Sequence, residues 1–473
     1  MTDAGQWGAG PRQDPPRIGI VALSAIADDP RVRRQGDAFA AAGWGVFAIG
    51  LPGARSAAPK WTVLDRLGPT QHAGLGSEAS EGKSDSVEVL PSRGQGAAIR
   101  RRVSGLLAMW PSLEAYAAQV YSVLRKKARV AADRAQFARV RYALRLVSVR
   151  LHDGRAERLF WTLNDRFELF HSIGAKERPD IWLANDWTAL PVARRLAREQ
   201  GVPFIYDTHE LASDEYEERR RWRLFFRPVV RAIERVCLRD ASLVTCVSDG
   251  IADRLQQLYG LAERPLVIRN TPSYIPATFR PTSDQVGVLY HGIVAPGRGL
   301  EECIRSVRKW RPEFRLTIRG PVSDDYRAHL ESEIAASGVA ERVDIVPPVP
   351  MTALVTEASR FDVGVFALPS HSLHNRYALP NKFFEYVMAG LALCVSDLPE
   401  MGRIMRQRDL GVLIEGVTPG SIAAAINQLD RPAIDRHKRR SLEAARELNW
   451  EHESEKLVER CLLMVGPRRP CAV

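Results

Sequence analysis

Residues 17–49, RIGIVALSAIADDPRVRRQGDAFAAAGWGVFAI, decide the fold class. The first seven residues of this stretch form a short apolar run that predicts a buried strand. Residues 31–42 space their apolar side chains as a helix does, and residues 46–49, after Gly43, predict a second strand. A strand, a helix and a strand in this order form a parallel unit, so the sequence predicts an α/β fold.

Strands and helices alternate again farther along the chain. Residues 52–95 are rich in Gly, Ser and Ala and predict a long loop, and the alternation then resumes between residues 179 and 269. Residues 222–239 in this part predict one long helix, because their apolar side chains have helical spacing. Residues 270–284 contain several prolines and few hydrophobic side chains, which is typical of a linker.

A second alternating set of elements follows the linker. Its strands are predicted at residues 286–290, 315–318, 343–346, 363–367, 392–395 and 411–414. We therefore predict two Rossmann-like, doubly wound domains that face a central cleft, at residues 17–280 and 285–445. A partly helical, basic insertion would occupy about residues 52–178, and a final helix at residues 446–465 would cross back to the first domain.

The formal net charge of +11 is concentrated in one stretch. Residues 100–150 contain twelve basic side chains and only two acidic ones, which accounts for nearly all of the excess. One interpretation is that this stretch docks onto an anionic membrane surface, and the alternative is a solvated helical face. No nucleic-acid-binding motif accompanies the charge, so we expect no nucleic-acid partner.

The cysteines and the hydropathy limit where the protein works. None of the six cysteines has a CxxC spacing, so neither a zinc site nor a disulfide framework is indicated, and we expect a reducing compartment. No apolar run reaches the ~18 uncharged residues of a transmembrane helix. We expect a cytoplasmic protein, or one held peripherally on the inner face of the plasma membrane.

Eight short segments carry a family resemblance through their order and spacing. They are DPRVRR (29–34), ANDW (184–187), YDTHE (206–210), VSDG (247–250), YHG (290–292), PGRGLE (296–301), LPNKFFE (379–385) and SDLPE (396–400). Together they resemble the retaining glycosyltransferases of family 4, the glycosyl transferases group 1, which have the GT-B fold. The resemblance implies transfer of a hexosyl group from a nucleotide-diphosphate sugar to a lipid-linked or polysaccharide acceptor, in envelope or exopolysaccharide biosynthesis.

The segment PNKFFEYVMAG, residues 380–390, is the strongest of these signals. Asn381 is predicted to cap a helix, and the amides of Phe383 and Phe384 at its start would bind phosphate. The resemblance implies that Glu385 contacts the ribose of the donor. The alternative is that Glu385 only complements the helix dipole.

Arg298 lies between Gly297 and Gly299 in a turn from a strand to a helix. The resemblance implies that Arg298 binds the donor pyrophosphate, which suits the planar guanidinium, and either Arg298 alone or Arg298 together with Lys382 would supply the positive charge. The alternative is a solvated turn residue. Ile293 occupies a position where the family often has a second cation, so this chain departs from the pattern there.

A second departure concerns the sugar end of the site. The family often has a glutamate eight positions before Glu385, and this chain has Tyr377. Pro348 and Val349, after a predicted strand, are implied to meet the base. Because the family uses backbone groups for this contact, the side chains do not distinguish a UDP-sugar from a GDP-sugar.

Four residues of the first half are also candidates. The resemblance places His209 near the donor sugar, and the alternative is a histidine bonded locally in its loop. Asp186 ends a predicted strand, and Trp187 could stack on an acceptor ring. Arg31 belongs to the loop after the first strand, which we assign to acceptor binding.

The chemistry predicted from these residues needs no metal and no resident cofactor. We find no DxD pair, and the cation Arg298 and the helix start would stabilise the charge of the leaving diphosphate instead. The resemblance implies retention of anomeric configuration by front-face attack. Two other functions stay open, a nucleotide-sugar epimerase of the same fold and a non-catalytic subunit that binds sugar nucleotides.

Overall fold

The computed structural model describes residues 14–54, 56–65, 153–162, 164, 166–217 and 219–466. The basic stretch at residues 100–150, with its two interpretations as a membrane-docking segment or a solvated helical face, lies outside the described residues, and so does Cys471. The five other cysteines are free thiols buried in the two domains.

The first half of the chain forms a parallel sheet of seven strands in the order β3-β2-β1-β4-β5-β6-β7. These strands are β1 (Arg17–Ala22), β2 (Gly45–Ile49), β3 (Thr62–Leu64), β4 (Ile181–Asn185), β5 (Phe204–Asp207), β6 (Leu243–Cys246) and β7 (Leu266–Val267). The order reverses between β1 and β4, as in doubly wound sheets. Both central strands are continuous apolar runs because helices cover both faces of such a sheet.

The described helices of this half follow the strands. They are α1 (Pro30–Ala41), α2 (Asp153–Thr162), α3 (Arg166–Gly174), α4 (Leu190–Gln200), α5 (Arg227–Leu238) and α6 (Asp249–Tyr259). The long helix predicted at residues 222–239 is divided, because Trp222–Phe226 form a π-helical turn before α5 begins. Ser248 caps α6 as a hydroxyl acceptor for the amide of Ile251.

The second half forms a parallel sheet of six strands in the order β10-β9-β8-β11-β12-β13. These strands are β8 (Val286–His291), β9 (Phe314–Arg319), β10 (Val343–Val346), β11 (Val363–Phe366), β12 (Ala392–Ser396) and β13 (Gly411–Ile414). All six strands predicted from the second apolar pattern are present. The predicted fold class, two doubly wound α/β domains, is confirmed.

The helices of the second half cover this sheet. They are α7 (Leu300–Ser306), α8 (Asp324–Ser337), α9 (Leu354–Ala358), α10 (Leu373–Tyr377), α11 (Asn381–Met388), α12 (Pro399–Arg408), α13 (Pro419–Asn427), α14 (Arg431–Ala445) and α15 (Trp450–Val465). Among the described residues, none of the helices combines the length and the apolar character needed to cross a membrane.

The final helix, α15, packs on the first domain. Trp450, Leu457 and Cys461 belong to the same buried cluster as Val32 and Phe39 of α1. The indole Nε1 of Trp450 donates a hydrogen bond to the Arg34 carbonyl at 3.1 Å. The last helix among the described residues therefore connects the second sheet to the first.

Candidate active site

A cavity of about 400 Å³ lies between the two sheets. In the second domain it is bounded by Gly292 and Ile293, which follow β8, and by Phe366 and Leu368 at the end of β11. The strand order of this sheet reverses between β8 and β11, and ligands of open α/β sheets bind at such a point. The carboxyl end of the sheet thus positions the site.

A larger cavity of about 670 Å³ lies between α1 and α15. Its wall includes Ala38 and Ala41, and Glu451, Glu455 and Glu459 approach it from α15. Three carboxylates in one wall disfavour a phosphorylated ligand. We therefore assign the candidate site to the cavity between the sheets.

The N-terminus of α11 points into the cavity and starts one residue earlier than predicted. Pro380 has an extended backbone and is the N-cap, so the prediction of Asn381 as the cap is wrong. The Pro380 carbonyl accepts the amide of Phe383 at 3.0 Å, because it already provides the first helical acceptor. The two amides before it, those of Asn381 and Lys382, are the ones that precede the helical bonding pattern.

Phe383 and Phe384 serve the core instead of the cavity. Both rings are fully buried in the cluster of the second domain. Their predicted role depended on free amides at the helix start, and the amide of Phe383 is already bonded. The amides of Asn381 and Lys382 precede the helical bonding pattern, and both residues line the cavity. The phosphate contact of the Phe384 amide stays a prediction.

Lys382 places a buried ammonium at the cavity wall. Its Nζ lies 4.0 Å from the ring centroid of Tyr290 and 4.4 Å from that of Phe366. It forms no ion pair with any residue that the structure describes. Burial, and then the positive charge of Arg298, lower its pKa to about 7, while Glu385 opposes this shift. An anion in the cavity would supply the missing partner.

Glu385 faces the cavity from the first turn of α11. Its Oε2 lies 2.8 Å from the Nε2 of His291, which is fully buried at the end of β8. The His291 amide donates to the Tyr386 hydroxyl at 3.0 Å, which fixes this strand end against α11. The sequence did not assign His291 a role, although it belongs to the segment YHG that carried the resemblance.

Arg298 also lines the cavity, and its contact with the donor pyrophosphate stays a prediction. Gly297 and Gly299 on either side have φ values of +81° and +71°. A Cβ on Gly299 would lie 2.0 Å from the Ala367 carbonyl oxygen, so the turn can approach β11 only with glycine there. The two glycines therefore shape the turn that carries Arg298.

His209 and Glu210 line the cavity from the first domain. The Nε2 of His209 lies 3.5 Å from Asp207, and Glu210 lies 3.5 Å from the Nδ1 of His374 on α10. Burial and the negative charge of Asp186 raise the pKa of Glu210, and the 46% of its side chain that stays exposed limits this rise. Sequence reasoning missed Glu210 and His374.

Arg31 does not reach the cavity, which contradicts the prediction that it binds the acceptor. The residue is 1% exposed, and its Nε and Nη2 each lie 2.6 Å from a carboxylate oxygen of Asp207. Its Nη1 donates to the Ile268 carbonyl at 3.1 Å. Arg31 is a structural cation that holds the end of β5 to α1.

Trp187 is likewise buried within its own domain. Its ring packs 4.9 Å from the ring of Phe160, and only 9% of the residue is exposed. This packing contradicts its predicted stacking on an acceptor. Asp186 before it has a φ of +69°, which is unusual for a residue with a side chain, and accepts the Trp187 amide at 2.7 Å. The acceptor role of Asp186 stays a prediction.

Two family models match the chain. A glycosyl transferase 4-like domain matches residues 97–271, and glycosyl transferases group 1 matches residues 285–431. Together these matches span more than half of the chain. The chain belongs to the family 4 glycosyltransferases. No curated protein sequence matches it.

Solved structures share the fold of this glycosyltransferase at low sequence identity. Sucrose-phosphate synthase from Thermosynechococcus elongatus has a TM-score of 0.65 and 16% identity, covering 95% of this chain and 100% of that one. A glycosyltransferase from Rickettsia africae ESF-5 has a TM-score of 0.60 and 11% identity, covering 95% and 99%. Anabaena Alr3699/HepE in complex with UDP and glucose has a TM-score of 0.56 and 13% identity, covering 94% and 99%.

The two departures from the family pattern have different surroundings in this glycosyltransferase. Ile293 lines the cavity and is 60% exposed, so an apolar side chain faces the cavity at the position where the family often has a second cation. Tyr377 packs against Gly250 of α6, and its carbonyl accepts the Ser248 hydroxyl at 2.8 Å. Tyr377 therefore connects the two domains and is not among the residues that line the cavity.

The predicted base contacts lie in the loop after β10. Pro348 is exposed and Val349 is half-buried, and neither lines the cavity. Leu354, which begins α9 just after this loop, does line it. The roles of Pro348 and Val349 stay a prediction. Among the described residues, no group of His, Cys, Asp or Glu side chains is arranged to hold a metal ion.

Proposed function

We propose that this glycosyltransferase moves a hexosyl group from a UDP- or GDP-sugar to a lipid-linked or polysaccharide acceptor and retains the anomeric configuration. The observation that carries the proposal is the convergence of Lys382, Arg298 and the start of α11 on one cavity that Glu385 also lines. Two cations and two helix-terminal amides suit a diphosphate.

The nucleotide would lie along α11. Its diphosphate would face the amides of Asn381 and Lys382 and the side chain of Arg298, and its ribose hydroxyls would donate to Glu385. The contact with His291 would hold the Glu385 carboxylate in place for this diol. The similar fold of Anabaena Alr3699/HepE was solved in complex with UDP and glucose, which supports a nucleotide-sugar donor.

The chemical step would use the charges that already surround the diphosphate. The bond from the anomeric carbon to the phosphate oxygen breaks, and the acceptor oxygen bonds to the same face of the sugar. The acceptor proton passes to the leaving phosphate oxygen. Arg298 and Lys382 would stabilise the charge that develops on the diphosphate, so we propose transfer without a divalent metal.

The first domain would receive the acceptor. His209 and Glu210 face the donor cavity across the cleft and would contact the sugar that is transferred. Tyr377 replaces the family glutamate and does not line the cavity. Glu210 is therefore the carboxylate that the first domain offers to the sugar hydroxyls in the cavity.

We propose that the reaction takes place at the cytoplasmic face of the plasma membrane, in envelope or exopolysaccharide assembly.

One experiment tests this proposal. UDP- and GDP-sugars are offered to the full chain with a lipid extract, with and without EDTA, and the nucleotide released and the anomeric configuration of the product are measured. Transfer with retention that survives EDTA is expected. Isomerised donor sugar would indicate an epimerase instead, and nucleotide binding without any turnover would indicate a non-catalytic subunit.

A further inference from the structure

A strongly basic surface lies on the first domain, away from the stretch at residues 100–150. Residues 219–239 contain eight arginines and one acidic residue, Glu234, which is buried. Acidic residues elsewhere in the chain balance these arginines, so the net charge of the whole chain does not reveal them. Six of these arginines are exposed: Arg219, Arg220, Arg221, Arg223, Arg235 and Arg239.

The two remaining arginines anchor this segment to the domain. Arg227 lies 2.5 Å and Arg231 lies 3.3 Å from the same oxygen of Asp214, whose side chain is fully buried. These two ion pairs hold the segment that carries the exposed guanidinium groups against the first domain. Every cation in this segment is an arginine, the side chain that binds phosphate through two parallel hydrogen bonds.

Apolar side chains accompany these cations in the π-helical turn. Leu224 is 63% exposed and lies between Arg223 and the half-buried Phe225. Trp222 is also half-buried, and its indole donates to the Ser213 carbonyl at 3.1 Å. An exposed leucine beside arginines and aromatic rings is the composition of segments that lie at a membrane interface.

This surface adjoins the mouth of the donor cavity. Arg223 donates to the Glu217 carbonyl at 2.7 Å, and the Glu217 carboxylate accepts the Leu373 amide at 2.6 Å. Leu373 begins α10, whose next residue, His374, lines the cavity. A bilayer against the basic surface would therefore lie close to the cleft.

We propose that Arg220, Arg221, Arg223 and Leu224 form a docking surface for an anionic lipid bilayer. The arginines bind headgroup phosphates, and Leu224 enters the boundary between headgroups and acyl chains. A nucleic acid would use the same charges, but it offers nothing for Leu224 to enter. The inference concerns where the protein is held, and it does not depend on which donor it uses.

Sedimentation with vesicles tests the inference on the full chain without any donor. Vesicles of phosphatidylcholine with 30% phosphatidylglycerol are compared with pure phosphatidylcholine at low and high salt. We expect binding to the anionic vesicles only, weakened by salt. The triple variant Arg220→Glu, Arg221→Glu, Arg223→Glu should lower the partition coefficient by at least about tenfold, and Leu224→Ser should lower it without changing the salt dependence.

Matched variants separate this surface from general charge and exposed apolar area. Arg308→Glu, Lys309→Glu, Arg446→Glu makes the same charge change at exposed positions of the second domain, and Leu463→Ser removes another exposed leucine, 71% exposed on α15. Both should bind vesicles as the wild type does. Equal binding by the first triple variant, equal loss in its control, or unchanged vesicle binding by Leu224→Ser would overturn the proposal.

Discussion

The protonation of Lys382 can be used to test whether an anionic ligand binds in the cleft. Its pKa is lowered to about 7 by burial and by Arg298, so near neutral pH it is charged in only part of the molecules. The charged form predominates below this pKa and is the form that binds an anion. A bound diphosphate would raise the pKa, so binding should take up a proton above pH 7.

The affinity for a UDP-sugar should therefore fall as the pH rises from about 6 to 8.5. A UDP-sugar is the better probe than UDP, because its pyrophosphate does not titrate in this range. Calorimetry in two buffers of different ionisation enthalpy measures the proton uptake. Lys382→Met should weaken binding and abolish most of the pH dependence, whereas Arg298→Met should weaken binding and leave a pH dependence. A flat affinity in the wild type would contradict this assignment.

Glu385 gives a second test at the scale of the residue. If it accepts hydrogen bonds from the ribose, Glu385→Gln should weaken the binding of UDP by about 1.5–3 kcal/mol, the usual worth of hydrogen bonds to a charged group. Calorimetry with UDP and with 2′,3′-dideoxy-UDP measures the coupling. The variant should cost little with the dideoxy nucleotide, since the partner hydroxyls are gone. An equal loss with both nucleotides would assign Glu385 to the helix dipole or to His291 instead.

Arg31 and Trp187 show why some residues of the site could not be predicted. The sequence places three arginines in DPRVRR, but it does not show which one turns inward. The partner of Arg31 is Asp207, 176 residues away, and only the packing of α1 against β5 brings the two together. Trp187 is similar, because the ring that covers it belongs to Phe160, in the insertion that was predicted to be partly helical but without the bounds of this helix.

Strands were the elements that the sequence predicted best, although β3 lies within residues 52–95, where the prediction of a long loop is wrong. Parallel strands buried on both faces are continuous apolar runs, and all six strands of the second sheet were found from such runs. Helix boundaries were less certain, since they depend on single backbone conformations. Pro380 has an extended backbone, so α11 begins one residue earlier than predicted. The π-helical turn before α5 has more residues per turn than an α-helix, and the spacing of the apolar side chains did not predict it.

Helix α5 also carries a buried acid that makes the stability of the protein depend on pH. Glu234 accepts hydrogen bonds from the hydroxyls of Tyr206, at 2.9 Å, and Tyr259. Burial is the main cause that raises its pKa from 4.5 to about 7, so the folded state favours the protonated acid. The stability that this proton contributes is complete below pH 4.5 and is lost as the pH rises towards 7.

Glu234→Gln should therefore reduce the loss of stability between pH 5 and pH 8 by a few kcal/mol, at about 1.4 kcal/mol for each pKa unit. Urea unfolding at pH 5, 6.5 and 8 measures the difference. Glu331→Gln on α8 is the control, because Glu331 is 57% exposed and should leave the pH dependence unchanged. The same fall in stability for Glu234→Gln and the wild type would show that the acid does not carry the effect.

At the scale of the whole molecule, the sequence predicted two facing domains but not how they hold each other. The contacts run between α6 of the first domain and α10 and α12 of the second. The Gly250 amide donates to Glu400 at 2.8 Å, and Arg403 lies 2.5 Å from Asp249. Glu400 thus occupies the N-terminus of α6 and stabilises its helix dipole across the cleft.

These contacts hold the two domains together on one side of the donor cavity, so they should set the balance between closed and open arrangements. Glu400 is 5% exposed, and Glu400→Ala leaves the start of α6 without its carboxylate. We expect the variant to have a larger radius of gyration in small-angle scattering without donor, and to regain the wild-type value when a saturating UDP-sugar closes the cleft. Its affinity for the donor should fall, because part of the binding free energy is used to close the domains.

Glu447→Ala, which removes an exposed partner of Arg408, is the control and should change neither the radius of gyration nor the affinity for the donor. A variant that scatters as the wild type does but binds the donor more weakly would mean that Glu400 acts on the site itself and not on the arrangement of the domains.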